Sequence, residues 1–169
     1  MAISEKPALL VSACLLGSLC RYNGKGELHE GVQGLMSRYT LVPVCPEIYG
    51  GLPTPRVPAE RKGDRVLGKN GEDVTAQYEK GAREALRLAQ LYHCRGAVLK
   101  ERSPSCGSGQ IYDGSHTRTL VSGDGVTAEL LKAHGILVFG ESQTDQLEKG
   151  TCGKTSRAMQ QMGVSELPF

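Results

Sequence analysis

The chain has 169 residues, 39% hydrophobic and 22% charged, which predicts one globular domain and excludes global disorder. A net charge of +2, from 20 basic and 18 acidic residues, excludes the strong positive footprint that binding of nucleic acid or an anionic membrane requires. No apolar stretch reaches the roughly 18 residues of a spanning helix, and Met1–Pro7 lacks the pattern of a secretory signal, so we expect a soluble, cytoplasmic protein.

Strand-like and helix-like segments alternate along the chain. Short apolar runs predict buried strands at 8–13, 40–44, 96–100 and 136–139. Helical spacing of apolar residues predicts helices at 28–38, 74–93 and 124–134. Pro43 argues against a central place for the second strand, and Asp73 is the expected N-cap of the long helix. The alternation predicts an α/β fold, a single domain with a mostly parallel central sheet and flanking helices.

Two further segments have the pattern of hairpins, and the chain ends in a polar segment. Residues 64–72 surround Asn70 and Gly71, a dipeptide typical of a tight hairpin turn, and residues 110–122 form a polar excursion. We therefore assign residues 1–142 to the α/β domain. Residues 143–169 are interpreted as a weakly helical C-terminal extension on the surface of the same domain.

Three of the six cysteines follow predicted strands. Cys14, Cys45 and Cys106 each lie beyond the end of one, and the carboxyl ends of parallel strands meet at one sheet edge. Three thiolates at that edge are typical of a soft-metal site that binds zinc or an iron–sulfur cluster. The alternative is that they are small buried hydrophobic residues, since none belongs to a Cys-x-x-Cys pair.

The other three cysteines have different expected roles. Cys20 is either a fourth ligand or a spectator, and Arg21 beside it favours the thiolate. Cys94 follows the long helix and is expected in the core. Cys152 lies in the polar C-terminal segment and is not expected to bind a metal.

Groups able to move protons flank these cysteines. Glu47 lies two residues after Cys45, and Ser103 and Ser105 lie just before Cys106. Three thiolates leave a fourth metal position open. A carboxylate and a hydroxyl beside an open metal can activate water against a metal-held substrate.

Several neighbouring side chains are candidates for substrate contact. Arg21, Arg56 and Lys100 are suited to a polarised carbonyl or an anionic edge. Tyr22 is suited to stacking on a planar ring, and Ser105 is placed to donate a hydrogen bond.

Long and unusual motifs in the chain resemble the thiouracil desulfidase family over roughly residues 8–142. They are Val11–Gly17, Arg21–Tyr22, Val44–Glu47, Gly50–Pro53, Ser103–Gly107, Ile111–Gly114 and Gly123–Ala128. The resemblance implies a cytoplasmic enzyme with a [4Fe–4S] cluster held by Cys14, Cys45 and Cys106.

The reaction implied by the resemblance is hydrolysis of a C–S bond, from thiouracil to uracil and sulfide, without ATP or net redox change. It takes place at the open iron of the cluster, with Glu47 handling protons and Ser103 assisting. The implied partner is a small thiolated pyrimidine. The alternative functions are an iron–sulfur or metal-binding sensor without turnover, and a cluster-free hydrolase or transferase with Cys106 as nucleophile.

Three residues depart from the family pattern. Asn23 stands where the family usually has Asp, and His116 where Phe is common. We expect these two to influence substrate preference. Tyr78 replaces a usual Phe, and we expect it to affect packing only.

Overall fold

The structure is a computed structural model that describes residues 6–149. Its strands, in chain order, are β1 (Ala8–Ser12), β2 (Thr40–Val44), β3 (Ala59–Lys62), β4 (Arg65–Gly68), β5 (Gly96–Leu99), β6 (Gln110–Tyr112), β7 (Leu120–Ser122) and β8 (Leu137–Gly140). Its α-helices are α1 (Glu30–Gly34), α2 (Pro46–Tyr49), α3 (Thr75–Leu91), α4 (Val126–Ala133) and α5 (Thr144–Glu148). Short 3-10 turns occupy Ala13–Leu15, Leu35–Ser37 and Glu141–Gln143.

The central sheet has four parallel strands in the order β2–β1–β5–β8. This confirms the predicted α/β class and its mostly parallel sheet. Pro43 pairs with Val11 in β2, which is an edge strand, where a missing backbone N–H is tolerated. The parallel arrangement places the carboxyl ends of all four strands at one edge.

Both faces of the sheet are covered by helices. Leu10 of β1 lies in a buried cluster with Ala85 of α3 and Leu131 of α4. Leu9 and Val11 lie in a second cluster with Val32 of α1, because successive side chains of a strand point to opposite faces. The apolar runs are therefore buried on both sides, as is usual for parallel strands.

Helix α2 was not predicted, and it packs directly against α3. A Cβ atom added at Gly81 would lie 1.8 Å from the carbonyl oxygen of Pro46, and one added at Gly50 would lie 1.9 Å from that of Gln77. Only glycine permits such an approach of two backbones. Four residues with a proline at the start give no helical periodicity to detect.

The hairpin around residues 64–72 differs from the prediction. The longer pairing joins β3 to β4 through a turn at Gly63. The predicted turn at Gly71 is present, since the Gly71 N–H donates to the carbonyl of Gly68. Beyond this turn, the strand pairing is limited to an isolated bridge between Leu67 and Asp73. Charged residues at 60–62 concealed the first strand from a search for apolar alternation.

The second predicted hairpin is confirmed, and so is the place of the long helix. Strands β6 and β7 pair antiparallel. Val74, rather than Asp73, occupies the N-cap position of α3. Asp73 nevertheless accepts the first helical N–H, from Thr75 at 3.0 Å.

The first residues of the proposed C-terminal extension pack on the domain. Leu147 in α5 is fully buried in the cluster that contains Val32, and its carbonyl oxygen accepts a hydrogen bond from Tyr39 at 3.3 Å. Residues 150–169, including Cys152, lie outside the described part of the chain. Within residues 6–149, no helix has the length and apolar character needed to cross a membrane.

Candidate metal and substrate site

Four cysteines line one cavity of about 560 Å³ at the carboxyl edge of the sheet. Cys14 lies in the 3-10 turn after β1, and Cys45 caps α2 directly after β2. Cys106 comes from the loop after β5, and Cys20 from the loop after Cys14. We call Cys14, Cys20, Cys45 and Cys106 the cysteine floor. The predicted convergence of three cysteines is thus observed, with Cys20 as a fourth member.

The thiols of the cysteine floor shift one another's pKa values. Hydrogen bonding with Cys20, together with burial, raises the pKa values of Cys14 and Cys45 above the usual range of a thiol. The same hydrogen bonds lower the pKa of Cys20. Burial raises the pKa of Cys106 to about 11. Several thiolates can coexist here only when a cation compensates their charge.

The donor set therefore fits a soft, highly charged group. All five described cysteines are free thiols, and four of them face one cavity. Thiolate ligands select zinc, copper(I) or iron–sulfur clusters. Among residues 6–149, no group of three or more His, Cys, Asp or Glu side chains has an arrangement ready for a single metal ion.

A buried ion pair holds Glu47 at the cavity. Arg56 Nη2 lies 2.6 Å from Glu47 Oε2, and Arg56 Nε donates to the same oxygen at 2.7 Å. The remaining N–H groups of Arg56 donate to backbone or hydroxyl oxygens of Cys20, Pro53 and Thr54. A guanidinium has five N–H donors, and all five have protein partners here. Arg56 therefore positions Glu47 while lining the cavity, and its contact with substrate stays a prediction.

Tyr78 also lies against Glu47. It belongs to α3, is 2% exposed, and has a raised pKa because of burial, the charge of Glu47 and a hydrogen bond to that carboxylate. The close contact between α2 and α3 produces this arrangement. Tyr78 thus lies beside a charged group at the site in addition to its place in the packing.

Ser103 fixes the loop that carries Cys106. Its Oγ accepts hydrogen bonds from the backbone N–H groups of Ser105 and Cys106, both at 3.1 Å. The same loop is tied to α4, because Thr127 N–H donates to the carbonyl of Ser105 at 2.8 Å. Ser103 lines the cavity, and its catalytic role stays a prediction.

Ser105 does not reach the cavity. It is fully buried, and its hydroxyl shares a hydrogen bond of 2.9 Å with Thr127. Its side chain packs against α4 and does not line the cavity, so its contact with substrate stays a prediction.

The other predicted contact residues line the cavity. Arg21 is half-buried, and its Nη1 lies 3.9 Å from Oε2 of the exposed Glu27. Tyr22 is 43% exposed, which suits a residue at the entrance. Lys100 forms an ion pair with the buried carboxylate of Glu141.

Residues from the hairpins also line the cavity. Glu60 of β3, with His116 and Arg118 from the β6–β7 loop, lines the same space as the cysteines. We call these three residues the hairpin wall. The sequence marks His116 as a departure from the family pattern but assigns no site role to Glu60 or Arg118, because no local motif connects residues so distant along the chain.

Fold and cavity together define an α/β protein with a thiol-lined cavity at the carboxyl edge of its sheet. Residues 9–143 match the family described as 2-thiouracil desulfurase. The chain belongs to this family, which confirms the resemblance recognised in its motifs.

Two relatives extend the comparison. A protein of Bacillus subtilis (strain 168), described as uncharacterized protein YbbK, is 40% identical over 149 residues, which cover 82% of this chain and 99% of that protein. A solved structure of the [4Fe–4S]-dependent thiouracil desulfidase TudS is 45% identical, with a TM-score of 0.78. It covers 86% of this chain and 98% of its own.

Proposed function

We propose that this protein is a [4Fe–4S]-dependent thiouracil desulfidase that hydrolyses a thiolated pyrimidine to uracil and sulfide. The observation that carries the proposal is the convergence of Cys14, Cys45 and Cys106 on one cavity that Glu47 also lines. Family membership and the likeness to a solved desulfidase support the same reading.

Cys14, Cys45 and Cys106 are the proposed ligands of the cluster. Their chemistry fits, because three buried or half-buried thiols need a bound cation to ionise together. When bound, a cluster with three cysteine ligands supplies an open iron, a soft Lewis acid that polarises a thiocarbonyl group. Cys20 is proposed as a neighbour that does not bind iron.

Glu47 is the proposed proton carrier. Both contacts from Arg56 reach its Oε2 atom. Each carboxylate oxygen has two lone pairs, so Oε1 can accept a proton from water even where Tyr78 donates to it. The water oxygen bonds to the ring carbon as Glu47 takes one of its protons, and the C–S bond breaks when Glu47 passes that proton to the leaving sulfur. The new hydroxyl then becomes the ring carbonyl by giving up the second water proton, which also goes to the sulfur. Thiouracil and water give uracil and hydrogen sulfide, so no electrons are exchanged and no ATP is needed.

We propose that Ser103 assists the reaction by holding the Cys106 loop in place and by facing the cavity. Its hydroxyl lines the cavity while its oxygen holds the backbone at Cys106. The O–H proton remains available to donate toward a substrate oxygen or water. Ser103 thus connects the position of Cys106, a proposed cluster ligand, with the position of the substrate or water in the cavity.

The proposed location is the cytoplasm, and the proposed partner is a small thiolated pyrimidine. The free state of all five described cysteines is what a reducing compartment maintains. It also suits a cluster that oxygen would damage.

The test is an anaerobic preparation in which iron and turnover are measured in the same sample. We expect brown protein with about four irons per chain and release of sulfide from 2-thiouracil. Colourless protein with stoichiometric zinc would contradict the cluster. Brown protein that releases no sulfide would favour the alternative of a sensor module.

A further inference from the structure

We propose that His116, held by Glu60, recognises the polar edge of the pyrimidine ring that is turned away from the sulfur. This inference rests on the proposed function, and it concerns the hairpin wall rather than the cysteine floor. His116 lines the cavity with a side chain only 19% exposed.

The carboxylate of Glu60 anchors the loop that carries His116. Its Oε2 accepts hydrogen bonds from the backbone N–H groups of Gly114 at 3.0 Å and His116 at 2.9 Å. Its Oε1 lies 3.9 Å from His116 Nδ1. One buried carboxylate therefore fixes the backbone of His116 by a hydrogen bond and also lies beside its imidazole.

The backbone of this loop is held in an unusual conformation. His116 has φ +58° and Arg118 has φ +62°, a left-handed region that residues other than glycine seldom occupy. Asp113 accepts a hydrogen bond from Ser115 N–H at 2.8 Å and donates its own N–H to Thr119 at 3.0 Å. Such conformations persist only where the surroundings impose them, and they concentrate at functional sites.

The chemistry of the ring matches a histidine at this place. When the sulfur is directed to the cysteine floor, the other ring N–H and carbonyl groups point toward the remaining walls. Nδ1 faces Glu60, so Nε2 is the nitrogen left to exchange a hydrogen bond with the ring. A phenylalanine there would offer only stacking.

The test compares His116→Phe with wild type in anaerobically prepared holo-protein. KM for 2-thiouracil and the Kd of uracil, which has no sulfur, should each rise about three- to tenfold, as expected for one lost hydrogen bond. We expect kcat to stay within about twofold and iron content to be unchanged. His116→Asn tolerates positive φ and keeps polar atoms, so it should restore part of the affinity.

A matched control is available at His93. This residue also has positive φ, at +55°, but it is exposed and lies outside the cavity lining. His93→Phe should leave KM and the uracil Kd unchanged. The inference is overturned when His116→Phe leaves both constants unchanged, or when it loses iron. A wild-type protein that releases no sulfide would instead refute the proposed function.

Discussion

The cysteine floor and the hairpin wall differ in how the chain builds them. Cys14 and Cys45 follow directly from parallel strands, so the sheet topology alone brings them to one edge. Glu60 and His116 meet only because two hairpins outside the sheet pack together and share hydrogen bonds. The position of the floor is therefore set by the central sheet, whereas the wall depends on contacts between two hairpins outside it.

The largest expected effect comes from removing a ligand on the floor. Cys14→Ala, Cys45→Ala and Cys106→Ala should each lose iron and sulfide release, because two thiolates cannot hold the cluster in place of three. Iron per chain and sulfide release are measured together.

Two other cysteines serve as controls for the ligand variants. Cys20→Ala and Cys94→Ala should keep their iron, since Cys94 is packed in the core beside Ala89 and Cys20 is proposed not to bind iron. Loss of iron from Cys20→Ala would make Cys20 a ligand and remove the open position on which the proposed reaction depends.

Replacement of Glu47 should separate chemistry from cofactor binding. Glu47→Gln keeps the shape but cannot carry the proton, so we expect kcat to fall by roughly 10²–10⁴-fold with iron retained. Glu129→Gln is the control, because that carboxylate pairs with Arg61 away from the cavity. A Glu47 variant without iron would show that Glu47 supports the cluster instead.

Gly81 tests the contact that places Glu47. Gly81→Ala forces a Cβ against the Pro46 carbonyl, so the free energy of unfolding should fall by at least about 1–3 kcal/mol, and kcat should fall as α2 moves. Denaturant unfolding gives the first quantity. Gly34 is the last residue of α1, and a Cβ added there would meet only ordinary contacts. Gly34→Ala should therefore leave the free energy of unfolding unchanged or raise it slightly.

The smallest effect is expected from Tyr78→Phe. Removing one hydrogen-bond donor to Glu47 should lower kcat about three- to tenfold, with KM and iron content unchanged. Tyr39→Phe also removes a buried hydroxyl, but one that donates to Leu147 on the other face of the sheet. Equal kcat values for the two variants would rule out a role for Tyr78 at the site.

The cysteine floor could be predicted from the sequence more completely than the hairpin wall, and the reason is physical. Cys14 and Cys45 each follow an apolar run, and this order along the chain predicts that both lie at the carboxyl edge of the sheet. Strand ends and residue order are local properties that a sequence shows directly. The use of all five N–H groups of Arg56, the burial of Ser105 and the meeting of Glu60 with His116 depend on contacts between segments distant along the chain. No periodicity records such contacts.

Helix α2 illustrates the same limit at short range. Its position depends on Gly50 and Gly81, which allow two backbones to touch. Glycine in a sequence signals loops and turns as readily as close packing. The partner of Glu47 on α3 was therefore visible only in three dimensions.

The central claim is that three cysteines hold an iron–sulfur cluster and leave one iron open to the substrate. A crystal structure of protein prepared and frozen without oxygen tests it most directly. We predict four irons, bonds to the Sγ atoms of Cys14, Cys45 and Cys106, and a fourth iron that binds no protein side chain. A bond from Cys20 to that iron, or a single zinc ion among the thiols, would contradict the account.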